Sequence, residues 1–333
     1  MADLALDLGT SVTRVADANG TIVLEEPTLA AVDADGGRLV AFGRDAAGLG
    51  ARSAGRVFLI RPVRNGKLVD VDLADAALAE VLRRAGATWL DHPRVVVCSH
   101  VGATGVQTRA VERALRRGGA RSVRFVEHPI ACAIGAGLPI ADPVGQMVVD
   151  VGGGTTDVGV VALGSLVTTA SVPVGGIELD DAVRAHLVRV HGLVADRVVV
   201  ERLRRKFGTV GPVTRDEEVE VVGRDALSGR PASALVTTTD LAIALDPVVQ
   251  LILAAALRCI TGAPPDLAND LLETGLLLVG GGARLSGLAR RLASATGVPV
   301  HVPEHMELLG VCGAARSEDA PARSPALSGL SPD

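Results

Sequence analysis

Three glycine-rich turns, each placed directly after a short apolar run, constrain the possible folds of this chain more than any other feature. The turns lie at residues 9–11, 152–156 and 280–282. An apolar run that ends in glycine is typical of a strand that enters a tight turn. Glycine is abundant, with 39 in 333 residues, so the placement of these turns carries more information than their number.

The first two turns are related to each other in sequence. Asp7-Leu8-Gly9-Thr10 leads into a second β-like run, and Asp150-Val151-Gly152-Gly153-Gly154-Thr155 does the same. Each copy predicts a β-hairpin with a carboxylate at its bend. Two such copies far apart in one chain predict a duplicated α/β domain with a cleft between the halves.

The remaining sequence alternates between strand and helix patterns, which favours the α/β class. Strands are predicted at 93–99 and 122–126, and helices at 76–84, 103–117, 129–137, 178–190, 247–260 and 285–295. Residues 28–68 and 201–239 combine short strands, charges and turns, as expected of small subdomains inserted in each half. Residues 317–333 are rich in Ser, Pro, Ala and Asp without periodicity, which predicts a disordered tail.

Composition excludes several classes of function. Lys and Arg number 33 against 38 Asp and Glu, and the chain has four Phe, one Trp and no Tyr. It therefore has neither the basic excess nor the aromatic platform of a nucleic-acid binder. Four cysteines without CxxC spacing argue against a disulfide framework and favour a reducing cytosol. Neither a signal-like segment nor an apolar stretch of spanning length is expected.

The glycine turns suit the binding of phosphate. Glycine lets backbone N–H groups converge on a phosphate, and threonine hydroxyls add donors. Asp7 and Asp150 are carboxylates that can hold Mg²⁺, mainly through water. The chain has no GxxxxGK[ST] sequence, and its turns return into a strand instead of opening a helix. Both the P-loop and the dinucleotide-binding fingerprint are therefore excluded.

These motifs resemble the superfamily of actin, sugar kinases and heat-shock chaperones, and within it the MreB/Mbl family of bacterial actins. Further similar segments are Asn65-Gly66-Lys67-Leu68 and residues 93–98, 133–139 and 174–180. The resemblance extends over residues 2–316. It implies two lobes, each built on a duplicated ribonuclease-H-like domain that carries a smaller inserted subdomain. The implied boundaries are residues 1–140 with an insert at 32–69, and residues 141–316 with an insert at 181–243.

The resemblance also implies that ATP and Mg²⁺ bind between the lobes. Asp7 and Asp150 would hold the metal, and Glu127, His128 and Thr155 would form the catalytic group. The residues implied to bind the nucleotide are Gly9, Thr10, Ser11, Val12, Gly152, Gly153, Gly154, Thr155, Gly175, Gly176, Glu178, Glu201, Arg202, Leu203, Arg204, Gly280, Gly281, Gly282 and Ala283.

Three departures from the family pattern bear on catalysis. The glutamate that would orient the attacking water, directly before Pro129, is His128 in this chain. Lys206 replaces a carboxylate expected near the nucleoside, and Asp157 replaces the glutamate expected after the two threonines. A positioned acid–base group supplies about 10²- to 10⁴-fold in rate. A weak ATPase at most is therefore expected, with neutral His128 or Glu127 as the alternative bases.

Trp89 and Leu90 form the candidate membrane contact. Trp89 either caps the preceding helix in the core or, as the resemblance implies, dips with Leu90 into the bilayer. Arg83 and Arg84 would then face anionic lipid. The implied location is the cytoplasm, peripheral on the inner face of the cell membrane.

The leading functional hypothesis is an ATP-binding, filament-forming bacterial actin that directs cell shape or the synthesis of cell wall or spore wall. Its partners would be further copies of itself, the membrane and envelope-synthesis membrane proteins, with no nucleic acid. The alternative is a hydrolysis-impaired paralogue that binds nucleotide and regulates another filament. A small-molecule kinase would need a further Asp base in the cleft, and a chaperone ATPase would need a trailing substrate domain.

Overall fold

A computed structural model describes residues 3–35, 37–50, 56–64, 66–87 and 92–317 of the chain. The tail predicted from residue 317 onward lies outside the described residues, apart from Ser317. The strands are β1 Leu4–Leu8, β2 Val12–Asp17, β3 Ile22–Pro27, β4 Ala30–Asp33, β5 Leu39–Phe42, β6 Val57–Ile60, β7 Val63–Arg64, β8 Lys67–Leu68, β9 Arg94–Ser99, β10 Ser122–Glu127, β11 Gln146–Val151, β12 Thr156–Ala162, β13 Ser165–Val172, β14 Leu193–Val194, β15 Glu218–Asp225, β16 Pro231–Thr237, β17 Leu276–Val279 and β18 Val300–His301.

The helices alternate with these strands along most of the chain. They are α1 Arg44–Gly50, α2 Val71–Arg84, α3 Gly105–Arg117, α4 His128–Gly135, α5 Gly176–His191, α6 Arg197–Phe207, α7 Thr238–Thr261, α8 Pro265–Thr274, α9 Leu288–Thr296 and α10 Leu309–Arg316. A 3₁₀ turn over Gly281–Arg284 follows β17.

Two five-stranded sheets form the frame, and each is built around a hairpin. The first has the order β10-β9-β1-β2-β3, and the second has the order β13-β12-β11-β17-β18. In both, the central strand pairs antiparallel with the next strand in sequence and parallel with a distant one. The two predicted hairpins, and the duplication that they imply, are therefore confirmed.

Two smaller three-stranded sheets lie apart from this frame. One has the order β5-β4-β6 and the other β14-β15-β16. The prediction of short strands and turns from residue 201 is wrong at its start, because residues 201–207 belong to α6. The apolar side chains of Val200 and Leu203 are buried together on one face of α6, and that burial favours the helix.

The elements that position the cleft pack closely at its base. Helices α4 and α10 lie against each other, and glycine allows the close approach. A Cβ atom at Gly135 would overlap the carbonyl of Leu309, and one at Gly313 would overlap the carbonyl of Ala131. This packing fixes the start of α4, where His128 lies.

Helix α7 is, among the described residues, the one helix long and apolar enough to span a membrane by length and composition. Its buried residues include Leu245, Val249 and Ile252, which belong to the core of the second half. Helix α7 is thus accounted for as a core helix. It begins at Thr238, nine residues before the predicted start, and carries Pro247 in its interior.

Candidate functional site

A cleft with a volume of about 780 Å³ opens where the two hairpins face each other. Residues of all three glycine turns line it, together with both candidate metal-binding aspartates. The predicted site residues on its walls are Asp7, Gly9, Thr10, Ser11, Val12, His128, Asp150, Gly152, Gly153, Thr155, Gly176, Glu201, Arg204, Gly280, Gly281 and Gly282.

Seven other residues predicted for the nucleotide or catalytic site do not line the cleft. They are Glu127, Gly154, Gly175, Glu178, Arg202, Leu203 and Ala283. Glu178 has a local role, since its carboxylate accepts a hydrogen bond from the Gly175 N–H at 2.8 Å and caps α5. Leu203 lies in the core of the second half. Arg202 is exposed on α6.

Glycine is required where the turns meet. A Cβ atom at Gly153 would overlap the hydroxyl of Ser11, so glycine lets the second hairpin approach the first. Gly280 has a φ of +83°, and a Cβ atom there would overlap the Asp150 carboxylate. The third turn therefore lies directly against the aspartate of the second hairpin, which only a glycine backbone permits.

His128 bridges the two aspartates of the cleft. Its Nε2 lies 3.2 Å from Asp7 Oδ1, and its Nδ1 lies 2.9 Å from Asp150 Oδ2. Both carboxylates are 7% exposed. The residue at the expected water-orienting position is therefore held in a double ion pair.

The electrostatics of this cluster fix the charge of His128. Burial alone would lower its pKa, but the Asp7 and Asp150 carboxylates outweigh burial and raise the pKa well above its ordinary value. Burial likewise acts to raise the pKa of Asp7, yet His128 outweighs it and the pKa is lowered. The two carboxylates thus favour the imidazolium form of His128, in which both ring nitrogens carry protons. Such a ring would not accept a further proton, and a neutral His128 as the base stays a prediction.

The donor set of the cleft fits a magnesium ion. Asp7 Oδ1 is buried and lies 3.2 Å from His128 Nε2 without good hydrogen-bond geometry, so it has lone pairs available to a cation. Carboxylate oxygens and water are the ligands that Mg²⁺ prefers. The His128 imidazolium is a second cation at the same carboxylates.

Asp157 is a further buried carboxylate of the cleft. It is 2% exposed, and burial raises its pKa to about 6 although the Ser171 hydroxyl donates a hydrogen bond to it at 2.5 Å. Asp157 is the direct cross-strand partner of Asp150. The second hairpin therefore places two acidic groups side by side.

Two arginines of the cleft have structural partners. Arg61 Nη1 donates to the Thr10 carbonyl at 3.1 Å and so ties the first phosphate turn to the strand region before β7. Arg204 Nε donates to Asp180 Oδ1 at 2.5 Å. Arg61 has no predicted role, although Arg61 and Asp180 both lie in or beside segments that resemble the family. Lys206 does not line the cleft, and its ammonium lies 5.0 Å from the Phe207 ring centroid.

Trp89 and Leu90 lie outside the described residues, so their placement stays a prediction. Arg83 and Arg84, expected to face lipid, both form ion pairs with Glu80, at 2.7 and 2.6 Å. The two arginines hold the pKa of Glu80 at about 2, although burial opposes this in part.

Comparison with known proteins identifies the family. The model of the MreB/Mbl protein family matches residues 1–324. The cell shape-determining protein Mbl of Bacillus subtilis is 34% identical, with 91% of each chain covered. The cell shape-determining protein MreB of Escherichia coli is 36% identical, with 91% of this chain and 89% of the relative covered. The chain belongs to the MreB/Mbl family.

Solved structures agree with this membership at the level of the fold. MreB5 of Spiroplasma citri bound to AMPPNP superposes with a TM-score of 0.88 at 24% identity, covering 95% of this chain and 96% of the other. The MamK double helical filament gives a TM-score of 0.80 at 21% identity, with 95% and 98% covered. The predicted actin-like α/β fold is therefore confirmed, and the chain is a bacterial actin homologue of the MreB/Mbl family.

Proposed function

We propose that this MreB/Mbl protein binds ATP in the cleft and assembles with copies of itself into filaments that determine cell shape. The observation that carries the proposal is the convergence of three glycine turns and two buried aspartates on one cavity of about 780 Å³. The volume suits a nucleotide-sized ligand. The solved structures of Spiroplasma citri MreB5 hold AMPPNP and ADP, and MamK forms a double helical filament.

The cleft residues divide into two groups by their chemistry toward ATP. Backbone N–H groups of Ser11, Val12 and Gly153, with the Thr155 hydroxyl, are donors for phosphate oxygens. Asp7 and Asp150 would hold Mg²⁺, which when bound neutralises phosphate charge. Gly281, where a Cβ atom would meet nothing within 4 Å, leaves an open wall for the nucleoside.

Calorimetric titration of ATP in the presence of Mg²⁺ tests this assignment. Asp150→Ala removes one metal-binding carboxylate and is expected to weaken Mg²⁺-dependent binding, whereas the exposed Asp142→Ala is expected to bind as the wild type does. Absence of ATP affinity in the wild-type protein would overturn the proposal. Sedimentation and electron microscopy with ATP and with ADP test filament formation in the same preparations.

A hydrolysis-impaired filament regulator is the second candidate function. It is supported by the double ion pair of His128, because an imidazolium cannot serve as the base that a carboxylate would be. If the protein is such a regulator, it should bind ATP, release phosphate slowly and alter the assembly of another MreB/Mbl protein. Slow release together with normal assembly on its own would instead favour the first function.

We also propose that the filaments lie on the inner face of the cytoplasmic membrane and contact envelope-synthesis proteins there. The proposal rests on the family resemblance at Trp89 and Leu90. Trp89→Ser with Leu90→Ser should abolish co-sedimentation of the assembled protein with liposomes. A matched control replaces Phe58 and Leu59 by serine, since these exposed apolar residues lie elsewhere, on β6. Liposome binding that survives the first double substitution would place Trp89 in the core.

A further inference from the structure

Two histidines and a carboxylate meet outside the cleft, at the junction of α5 and α7. His186 and His191 lie in the last two turns of α5, and Asp240 lies in the first turn of α7. Their ligand atoms all lie within 4.8 Å of one another. None of the three lines the nucleotide cleft. The cluster is therefore separate from the residues assigned to nucleotide binding.

The carboxylate is held in place before any ligand arrives. Asp240 Oδ2 accepts hydrogen bonds from the Thr237 N–H at 2.9 Å and from the Thr237 hydroxyl at 3.1 Å. These bonds form a capping box with the Thr237 side chain at the start of α7. Asp240 is therefore a carboxylate ligand with a fixed orientation.

The donor atoms lie close enough together to share one ion. His186 Nε2 lies 3.3 Å from Asp240 Oδ1, and His191 Nε2 lies 3.4 Å from Asp240 Oδ2, so each imidazole faces a different oxygen of the same carboxylate. Imidazole suits zinc and other late transition metals, whereas magnesium and calcium prefer oxygen ligands alone. The two imidazoles therefore favour a zinc-type ion.

One of the donor atoms lacks a partner of its own. His191 Nε2 is buried and makes no hydrogen bond, and leaving a buried polar atom unpaired is costly. The two imidazole rings are tilted by 52° with centroids 6.1 Å apart, so ring stacking does not account for their arrangement. A cation between the rings and the carboxylate would satisfy this orphaned nitrogen.

One charged neighbour must adjust when a metal binds. Arg189 Nη2 lies 3.3 Å from His186 Nδ1. A histidine that binds metal through Nε2 carries its proton on Nδ1, so Arg189 would have to turn away. Arg189 is exposed on the surface of α5, and solvent is open to its guanidinium.

We propose that His186, His191 and Asp240 bind one zinc-type divalent transition metal, with water as the fourth ligand. Two imidazoles, one carboxylate and one open position match zinc sites that have three protein ligands and a water molecule as the fourth. The metal would join the end of α5 to the start of α7, and so fasten the region that carries β14, β15 and β16. The proposal does not depend on nucleotide binding.

Competition for zinc against a chromophoric chelator tests the site in the full-length protein. The wild type should bind one equivalent of zinc more than His191→Gln or Asp240→Asn. Its zinc affinity at this site should be at least about 100-fold higher than the affinity that either variant retains. That ratio exceeds the 10- to 100-fold loss typical of an outer-shell residue. His301→Gln, an exposed histidine elsewhere, should bind as the wild type does. His128, Cys132 and Asp150 in the cleft also lie within ligating distance of one another. A zinc ion bound there would remain in the His191→Gln and Asp240→Asn variants, so the number of zinc equivalents that each variant loses separates the two sites.

A second readout keeps the test decisive if a variant fails to fold. Wild-type protein loaded with Co²⁺ should show the intense visible absorption of tetrahedral cobalt, and zinc should displace it. Asp240→Asn keeps a side-chain oxygen that can accept the hydrogen bond from the Thr237 N–H in the capping box, so circular dichroism of that variant should match the wild type. Equal zinc stoichiometry and affinity in the wild type and both variants, or no tetrahedral cobalt spectrum, would overturn the proposal.

Discussion

In the first hairpin the cross-strand partner of the buried aspartate is Arg14, whereas in the second it is Asp157. Strand order, hairpin connection and the depth of the two aspartates are otherwise the same in the two halves. Arg14 contributes to the lowered pKa of Asp7, while Asp150 contributes to the raised pKa of Asp157. The halves therefore share a backbone plan and differ in the sign of their local charge.

The difference explains why His128 matters to both halves. A duplicated fold brings Asp7 and Asp150 together, and without a cation these two carboxylates and Asp157 would share one low-dielectric cleft. His128 supplies positive charge to both aspartates from a third position. Like-charge repulsion in the second hairpin is thus offset by a residue of the first half.

The largest expected effect comes from removing this shared cation. His128→Ala leaves two buried carboxylates uncompensated, and we expect a loss of about 3 kcal/mol in the free energy of unfolding without Mg²⁺. Added Mg²⁺ should restore much of the loss, because it supplies another cation. Denaturant unfolding measures both values, with His301→Ala as the control. An equal loss with and without Mg²⁺ would mean that packing and not charge explains the effect.

Neutralising one aspartate in each hairpin should change the stability of the fold in opposite directions. At pH 7 Asp7→Asn is expected to destabilise the fold by about 2 kcal/mol, since the ionised Asp7 is a partner of His128. Asp157→Asn is expected to stabilise it by about 1 kcal/mol, because a buried charge is removed while the Asn carbonyl oxygen can still accept the weaker, neutral hydrogen bond from Ser171. Thermal unfolding of the three proteins in one buffer gives the comparison.

The dependence on pH follows from the same shifts. The raised pKa of Asp157 contributes stability below its ordinary value of 3.8, and this is lost as the pH rises through about 6. The lowered pKa of Asp7 contributes stability above 3.8, which is lost as the pH falls through its folded value. The Asp157→Asn protein should therefore lack the decline between about pH 4 and 6. A decline of the same size in both proteins would contradict this assignment.

The smallest effect concerns the contact between the hairpins. Gly153→Ala would force Ser11 away, and overpacking of this kind costs about 1 kcal/mol or more. ATP affinity should fall several-fold, and Ser11→Gly in the same chain should recover part of it by removing the overlapping atoms. Gly137→Ala, where a Cβ atom would meet nothing within 4 Å but φ is +73°, controls for backbone strain alone. No recovery in the double variant would mean that the close approach does not shape the site.

Much of the frame follows from sequence because it depends on local patterns. Apolar runs that lead into or out of a turn with Asp and glycine are enough to predict β1, β2, β11 and β12. Helix α6 was missed over residues 201–207 because the charges there suggest turns and short strands, while the burial of Val200 and Leu203 that decides the helix is a tertiary effect. Helix α7 was begun too late because Pro247, normally a first-turn residue, lies inside it.

The site was less accessible to sequence reasoning. His128 stood out by motif position, but its contact with Asp7 and Asp150 depends on the ends of three strands meeting in space. His186 and Asp240 are 54 positions apart. His191 follows His186 after four residues, a spacing that zinc sites do use, but two histidines without a nearby third ligand in the sequence are a weak signal. Only the packing of α5 against α7 brings these side chains together.

Phosphate release at saturating Mg²⁺-ATP, compared between the wild type and His128→Glu, tests most directly whether this position limits hydrolysis. We expect the carboxylate to accelerate release, by up to the 10²- to 10⁴-fold that a positioned base supplies, and we expect the neutral His128→Gln to give no such gain. ATP affinity measured in parallel shows that the cleft of each variant is intact. An unchanged rate in the His128→Glu protein, with ATP bound as tightly as in the wild type, would contradict the account.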